Sequence, residues 1–300
     1  MLGDVFRARV KAREFVGIKG WINSRPLKID SLKGKVVLLD FWTYTCINCI
    51  RTLSYLQSWH EKYRDKGLVV IGVHTPEFEF EKKAPNIKEA VKRFGITYPV
   101  ALDSEMKTWR EYDNHYWPAK YLIDKDGFIC YVHFGEGNYG QTEMAIQMQL
   151  GIKKKLEKDD FQGYMFDQSP ETYAGFGKNF GLGSGLVCDE QGCNVYVDPG
   201  SHAMNVIYPE GQWVQEKEFI ELKKAPGRVS YRFNAREANV VLAPVGKPVE
   251  AAVFMDGKKK HVFLVDKAKM YNVFKDKKYG DHELSIVFAG RVRAYVFTFG

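Results

Sequence analysis

The chain has 300 residues, 45% of them hydrophobic and 14% aromatic, so it can bury the core of one large domain or of two ordinary ones. Its net charge of +7 comes from 44 basic and 37 acidic residues. These alternate closely, which argues against a nucleic-acid-binding protein with one basic stripe. No apolar run reaches the length of a membrane span, and residues 1–20 lack the apolar core of a secretory signal. We expect a globular cytoplasmic protein, or an extracytoplasmic one if the chain is part of a longer exported protein.

The first half of the chain alternates strand-like apolar runs with helical patterns, which indicates an α/β sheet with parallel crossovers. The predicted strands are 35–42, 68–74, 98–102, 119–123 and 128–133, and the predicted helices are 49–64, 87–94, 106–112 and 142–155. This order fits one compact α/β domain over residues 1–158.

The composition then shifts to Gly, Ser, Phe and Tyr, and the alternating glycines of residues 159–185 predict a linker. Beyond it, short alternating strands end at turns, which indicates an all-β antiparallel sandwich, jelly-roll-like, over residues 186–300. The strands predicted there are 195–197, 229–233, 240–242, 253–255, 261–265, 284–288 and 293–299.

The strongest local signal is a Cys-x-x-Cys pair, Cys46 and Cys49, that follows a buried strand and opens a helix. A cysteine at a helix N-terminus faces unpaired backbone N–H groups and the positive end of the helix dipole, which stabilises its thiolate. We predict that Cys46 attacks a substrate disulfide. Cys49, one helical turn later, then attacks the mixed disulfide and releases the product. This exchange needs neither a metal nor a cofactor, and none is expected.

A zinc knuckle or a structural disulfide is the alternative interpretation of this pair. Zinc needs a second Cys or His pair at ligand spacing. His60, His74, His115 and Cys130 show no such spacing. The strand-then-helix context therefore favours redox chemistry.

Residues 41–53, FWTYTCINCIRTL, resemble the active-site region of the thioredoxin superfamily, and more closely its TlpA-like and DipZ-type branch. Further matching strings are GKVV at 34–37, HTPEF at 74–78, YWPA at 116–119, SPETY at 169–173 and YVFTFG at 295–300. The resemblance implies a thioredoxin domain fused to a carbohydrate-binding-module-like β domain. It also implies a thiol:disulfide oxidoreductase with protein disulfide substrates and an upstream thiol reductant.

In such proteins a cis-proline lies beside the redox pair, and the resemblance assigns this place to Pro118. A cis bond there would expose a backbone edge to an extended substrate peptide and keep metals from the thiols. An ordinary trans proline at a strand start is the alternative. The flanking aromatic residues Trp42, Tyr44 and Trp117 are predicted to contact the substrate.

Asp40 lies six residues before Cys46, the offset at which thioredoxins place a buried carboxylate. We predict that it accepts the proton of Cys49, because burial raises a carboxyl pKa toward neutrality. An exposed aspartate is the alternative. The dipeptide between the cysteines, Ile47-Asn48, departs from the Gly-Pro of ordinary thioredoxin. Because it holds no cation or His, it favours a reductant over a strong oxidant.

Two other functions compete with disulfide exchange. The first is a thiol-dependent peroxidase that uses Cys46, because Thr43 precedes it by three residues as in the peroxiredoxin loop. That loop also requires a proline where this chain has Leu39, and the second thiol at Cys49 favours exchange.

The second is a non-enzymatic protein whose β domain binds a glycan or a protein, with structural thiols. Four aromatic residues could form its platform, although aromatic residues in a sandwich more often lie in the core. They are Tyr208, Trp213, Tyr231 and Tyr271.

Weaker signals remain. Cys188 and Cys193 could form a second disulfide, half of a metal site or two buried thiols. Cys130, in an apolar strand, is predicted as a small core residue. His74 and Glu77 follow a strand on the side where α/β active sites lie, but a loop that caps the next element is the simpler interpretation.

Overall fold

The computed structural model describes residues 10–156, 168–179, 181–189 and 192–300. The chain divides into two compact units, Met1–Gly163 and Tyr164–Gly300. Part of the predicted linker, 159–185, lies outside the described residues. Its described residues belong to the second unit, where Thr172–Tyr173 forms a strand.

The first unit contains a seven-stranded sheet of order β1-β7-β6-β3-β4-β5-β2. The strands are β1 Val10–Lys11, β2 Trp21–Ile22, β3 Val36–Trp42, β4 Leu68–His74, β5 Val100–Leu102, β6 Ala119–Ile123 and β7 Phe128–Phe134. Central strand β3 runs parallel to β4 and antiparallel to β6. All residues of β3 are buried, as expected for a central strand covered on both faces. The predicted α/β domain is confirmed.

In the described residues of this unit, four α-helices accompany the sheet: α1 Ile47–Tyr63, α2 Ala84–Arg93, α3 Lys107–Glu111 and α4 Tyr139–Leu150. Short 3-10 helices lie at Ile29–Leu32, Arg64–Lys66 and Glu79–Lys82. Among the described residues, no helix is both long enough and apolar enough to cross a membrane.

Helix α1 packs against the sheet through an apolar stripe. Its residues Leu53, Leu56, Trp59 and Tyr63 recur at helical spacing and are all buried. Because this stripe lies against the sheet, it fixes the orientation of α1. The chain crosses from β3 to the parallel strand β4 through α1. The N-terminus of α1 therefore lies at the carboxyl end of β3, and the Cys-x-x-Cys pair lies there.

In the described residues of the second unit, the strands pair with one another only in antiparallel fashion. An isolated bridge between Met204 and Arg232 is parallel. The strands are β8 Thr172–Tyr173, β9 Gly185–Asp189, β10 Gly192–Val197, β11 Ile207–Gln215, β12 Ile220–Asn234, β13 Glu237–Pro244, β14 Val249–Met255, β15 Lys258–Val265, β16 Lys269–Lys275, β17 Asp281–Phe288 and β18 Val292–Phe299. Their main path runs β15-β14-β17-β12-β11-β10-β9, and the sheet does not close on itself. The predicted antiparallel β domain is confirmed.

The proposed aromatic platform of this unit lies in its interior. Tyr208, Trp213, Tyr231 and Tyr271 are all buried. Trp213 packs edge-on against Phe288, with ring centroids 6.0 Å apart. These four residues therefore stabilise the core, and a surface that binds a glycan or a protein would have to use other residues.

Candidate active site

The two cysteines of the motif lie at the start of α1. Cys46 is the N-cap residue, and its Sγ accepts the backbone N–H of Cys49 at 3.2 Å. Both residues are present as thiols. Cys46 is 8% exposed and Cys49 is 1% exposed, so a substrate can approach Cys46 and not Cys49.

The surroundings of the two sulfurs differ in the way that their predicted roles require. The Sγ of Cys46 faces a helix N-terminus, where N–H donors and the helix dipole favour a thiolate. Burial is the main cause that raises the pKa of Cys49 well above its ordinary value, and the neighbouring Cys46 and Asp40 raise it further. Cys49 therefore keeps its proton until a base removes it.

Asp40 lies in the middle of β3 and is buried. Neither of its carboxyl oxygens has a hydrogen-bond partner among the described residues. Burial raises the pKa of this carboxyl to about 7, although the charge of Lys120 acts in the opposite direction. A carboxyl that titrates near neutrality can take a proton from a neighbouring thiol. The role of proton acceptor for Asp40 remains a prediction.

Lys120 was not singled out in the sequence. It stands opposite Asp40 on β6, is fully buried, and donates from Nζ to the carbonyl oxygen of Gly135 at 3.0 Å. Burial lowers the pKa of this ammonium group, whereas the charges of Asp40 and Cys49 raise it. The signal was a single charged residue inside the apolar run of 119–123, directly after the proline.

The bond between Trp117 and Pro118 is cis. The carbonyl oxygen of Trp117 lies 3.9 Å from the Sγ of Cys46. The Trp117 indole donates to the carbonyl oxygen of Thr75 at 3.0 Å and packs on Trp109, with ring centroids 4.2 Å apart. These contacts hold the backbone before Pro118 beside the thiol.

The aromatic residues predicted to contact substrate occupy two different places. Trp42 and Tyr44 are 0% and 2% exposed and lie behind the motif, where both rings pack on His74. Their burial rules out direct substrate contact in this conformation. Trp117 is half-buried at the surface, and the exposed Tyr116 precedes it, which sequence reasoning missed.

His74 and Thr43 also lie behind the motif. Their side chains approach each other, with 3.4 Å between Nε2 of His74 and Oγ1 of Thr43. Burial lowers the pKa of His74 to about 3, so the imidazole is neutral near pH 7. Thr43 is itself fully buried beside His74, so its hydroxyl faces the interior of the unit.

The other cysteines lie elsewhere. Cys188 is exposed on β9 and is disulfide-bonded, and the residue opposite to it on β10 is Cys193. Cys130 is a buried thiol that donates to the carbonyl oxygen of Leu122 at 3.4 Å. In the part of the chain that the structure describes, no group of three or more His, Cys, Asp or Glu side chains is arranged to hold a metal ion.

Comparison with known protein families assigns both halves of the chain. Residues 11–132 match the AhpC/TSA family, and residues 169–300 match the thioredoxin-like C-terminal domain. The protein DipZ of Mycobacterium bovis is 34% identical over 300 residues, which cover 96% of this chain and 43% of that protein. The chain thus spans less than half the length of this relative.

Two shorter proteins resemble the first half. The thiol-disulfide oxidoreductase YkuV of Bacillus subtilis is 32% identical over 127 residues, which cover 42% of this chain and 84% of YkuV. The crystal structure of a putative thiol:disulfide interchange protein DsbE from Chlorobium tepidum is 26% identical. It covers 47% of this chain and 96% of its own, with a TM-score of 0.42.

Proposed function

This chain belongs to the thioredoxin-like thiol-disulfide oxidoreductases, and we propose that it reduces disulfides of protein substrates through Cys46 and Cys49. One observation carries the proposal. The Sγ of Cys46 caps α1, 3.2 Å from the backbone nitrogen of Cys49 and 3.9 Å from the carbonyl oxygen of Trp117. A nucleophile, its resolving thiol and a backbone edge for substrate therefore meet at one place.

The exchange proceeds in two steps. The Cys46 thiolate attacks one sulfur of the substrate disulfide, so a Cys46–substrate disulfide forms while the other substrate sulfur leaves as a thiolate and takes up a proton. Cys49 then transfers its proton to Asp40 and attacks the Sγ of Cys46. The mixed disulfide breaks, the second substrate thiol leaves, and Cys46 and Cys49 are joined. The substrate gains two electrons and the pair loses two.

An extended substrate peptide would dock along the backbone at the cis-proline. Trp117 and Pro118 hold their backbone beside the thiol, and a peptide in this place can pair with it as an added strand. The exposed ring of Tyr116 lies next to this edge. We propose that Trp117 and Tyr116 contact the residues that flank the substrate cysteine.

The oxidised pair must be reduced again before another cycle, and we assign this step to an upstream thiol reductant. Such a reductant transfers two electrons by the same thiol–disulfide exchange in reverse, so no cofactor is needed. The Ile47-Asn48 dipeptide brings no cation between the thiols, which supports the direction of a reductant.

For the β unit we propose a role in recognising a partner protein or a glycan, outside the chemical steps. Its buried aromatic residues take no part in such recognition. The disulfide of Cys188 supports an oxidising, extracytoplasmic compartment, because structural disulfides persist there and are rare in the cytosol.

A redox titration of the full chain tests the proposed function. The fraction of oxidised Cys46–Cys49 pair is measured by alkylation and mass spectrometry across glutathione and dithiothreitol buffers, with the Cys46→Ser variant as control. We expect a reversible two-electron transition at a reducing potential, and reduction of a protein disulfide such as that of insulin. If the pair did not change reversibly between its oxidised and reduced forms, the proposal would be wrong, and the result would favour structural thiols and a binding function.

A further inference from the structure

A second buried carboxyl group lies behind the active-site loop and takes no part in the exchange steps above. Glu81, in the 3-10 helix Glu79–Lys82, is fully buried. Its Oε1 accepts the hydroxyl of Thr45 at 2.6 Å. Its Oε2 accepts the backbone N–H groups of Glu77 and Phe78 at 2.7 and 3.0 Å.

These three hydrogen bonds engage both oxygens of the Glu81 carboxyl group. A buried carboxylate is unfavourable unless hydrogen bonds replace its water, and burial does raise the pKa of Glu81, to about 7. The hydroxyls of Thr43 and Thr45 oppose that rise. The two backbone donors are local to the turn, whereas the Thr45 hydroxyl comes from the loop between β3 and α1.

The hydrogen bond between Glu81 and Thr45 holds the residue next to the redox pair. Thr45 directly precedes Cys46, and Cys46 must hold a non-helical backbone so that its sulfur can cap α1. A buried anchor on the preceding residue limits how far the backbone of Cys46 can move. Thr45 is itself only 2% exposed, so water cannot easily replace the anchor.

We propose that Glu81 is a positioning residue for Cys46, which ties the loop before Cys46 to the turn at 77–82 and so keeps the Cys46 sulfur at the N-terminus of α1. Glu81 acts through Thr45 and touches neither sulfur, so it is not a catalytic residue. This inference rests on the proposed role of Cys46 as the nucleophile. It adds a residue that helps to activate this thiol from outside the motif, because Glu81 lies in the segment between β4 and α2.

Two actions of Glu81 would have opposite effects on Cys46. If Glu81 acts as an anchor, its loss lets the sulfur leave the helix N-terminus, and the thiolate is less stable. If it acted only as a nearby negative charge, its loss would make the thiolate more stable. The sign of the change in Cys46 reactivity therefore separates the two.

The test follows the alkylation of Cys46 by iodoacetamide against pH in the full chain, in a Cys49→Ser background that leaves Cys46 unable to form the internal disulfide. Thr45→Val removes the donor without changing charge, and Thr45→Ser keeps it. Glu81→Gln keeps one acceptor oxygen but replaces the other by an NH₂ group. That group must face at least one of the donors that now bind the carboxyl group. The control Glu79→Gln changes an exposed carboxylate on the same turn, with a side chain that is 70% exposed.

We expect Thr45→Val and Glu81→Gln each to slow alkylation near pH 7 roughly threefold to tenfold, the range for one lost hydrogen bond, and to move the pH profile upward. Thr45→Ser and Glu79→Gln should match the parent. Because both changes act on the same contact between Thr45 and residue 81, the double variant should resemble the slower single variant.

Three results would overturn the inference: faster alkylation in Glu81→Gln, an unchanged profile in Thr45→Val, or additive effects in the double variant. Circular dichroism and thermal unfolding of each variant separate loss of fold from loss of reactivity, and Thr45→Val serves if Glu81→Gln fails to fold. Alkylation requires no substrate protein. The inference can therefore fail while disulfide exchange survives, and exchange can fail while the inference holds.

Discussion

Asp40 and Lys120 stand opposite each other on the antiparallel strands β3 and β6, and both side chains are buried. Residues directly opposite in an antiparallel pair project to the same face of the sheet. Both groups interact electrostatically with Cys49. Cys49, the thiol that would lose a proton in the proposed second step, thus shares its surroundings with a carboxyl group and an ammonium group.

The first prediction concerns Asp40. Asp40→Asn removes the base but keeps the size of the side chain, so Cys49 should lose its proton more slowly. We expect the resolution step to slow roughly a hundredfold, the lower range for general-base catalysis, while the first attack by Cys46 is unchanged. Rapid mixing with a disulfide peptide, acid quenching and mass spectrometry would show the mixed disulfide accumulating.

Asp65→Asn is the matched control, because the Asp65 side chain is 90% exposed and should not affect the reaction. If Asp40→Asn released product as fast as the parent chain, Asp40 would have no role as proton acceptor, and the proton of Cys49 would pass to solvent or to the leaving thiolate.

The second prediction concerns Lys120. Its positive charge lowers the pKa of Asp40, so Lys120→Met should raise that pKa further above its ordinary value. Asp40 would then become an effective base only at higher pH. We expect the midpoint of the pH profile for resolution to move upward by about one unit. Stopped-flow measurements between pH 5 and pH 9 would measure this midpoint.

Lys125→Met, in the exposed turn before β7, is the control for the loss of one positive charge. An unchanged midpoint in Lys120→Met would show that Lys120 contributes only to packing and to its hydrogen bond with Gly135.

The third prediction links Asp40 to stability. The folded-state pKa of this carboxyl is about 7 and its ordinary value is 3.8. Between these values the folded chain holds a proton that the unfolded chain releases. The contribution of Asp40 to the free energy of unfolding therefore falls as pH rises through this window, and the full penalty is present above it.

Asp40→Asn has no such group, so its stability relative to the parent chain should increase from pH 4 to pH 7 and then stay constant. Urea unfolding at several pH values, followed by circular dichroism, measures the difference. A difference that does not change with pH would contradict the raised pKa. The comparison between variants cancels the effect of His74, whose pKa is lowered to about 3 and which acts with the opposite sign.

Most elements of the first unit could be predicted because their signals are local. The predicted strands 68–74 and 119–123 agree with Leu68–His74 and Ala119–Ile123, since buried central strands are apolar runs that end at polar residues. The short strands β1 and β2 were missed. Two residues at a sheet edge pair through the backbone and leave no periodic pattern.

In the second unit β11 was missed for a different reason. It contains Pro209 and Gly211, which favour a turn in isolation, and the structure accommodates this stretch with register shifts against β12 between Glu210 and Trp213. Such shifts depend on the partner strand, and the sequence of one segment does not reveal them.

The residues of the candidate site also differ in whether local sequence predicts their place. Cys46, Cys49 and Asp40 lie within one strand–loop–helix segment, so their spacing alone predicts their proximity. Lys120 and Glu81 reach this segment from β6 and from the turn after β4. Their burial depends on pairing between distant parts of the chain, which is why charged residues that would be exposed in isolation were passed over.

The fourth prediction concerns the disulfide of Cys188. Cys188 lies on the edge strand β9, opposite Cys193 in the backbone register. We expect the disulfide to close a short loop there, so its effect on the unfolded chain should be small, about 2 kcal/mol or less. Cys188→Ser should lower the free energy of unfolding of the second unit by that amount and leave Cys46 alkylation unchanged. Guanidinium unfolding with and without dithiothreitol measures this. A larger loss would show that the hairpin supports the whole β unit.

The fifth prediction decides between disulfide exchange and the peroxidase alternative. In a peroxidase of the peroxiredoxin type, the threonine three residues before the cysteine would present its hydroxyl to the peroxide at the thiolate. Here the hydroxyl of Thr43 is buried and lies 3.4 Å from Nε2 of His74. It therefore stabilises the loop from behind and is not available to a peroxide.

We expect Cys46 in the Cys49→Ser variant to react with hydrogen peroxide no faster than a small-molecule thiol of the same pKa. Adding Thr43→Val should leave this rate unchanged, although it should lower the free energy of unfolding by about 1 kcal/mol through the lost hydrogen bond with His74. Stopped-flow kinetics with detection of the sulfenic acid measure the rate. Rapid oxidation that disappears in Thr43→Val would instead identify a peroxidatic cysteine, because only a hydroxyl that contacts the peroxide can accelerate that step.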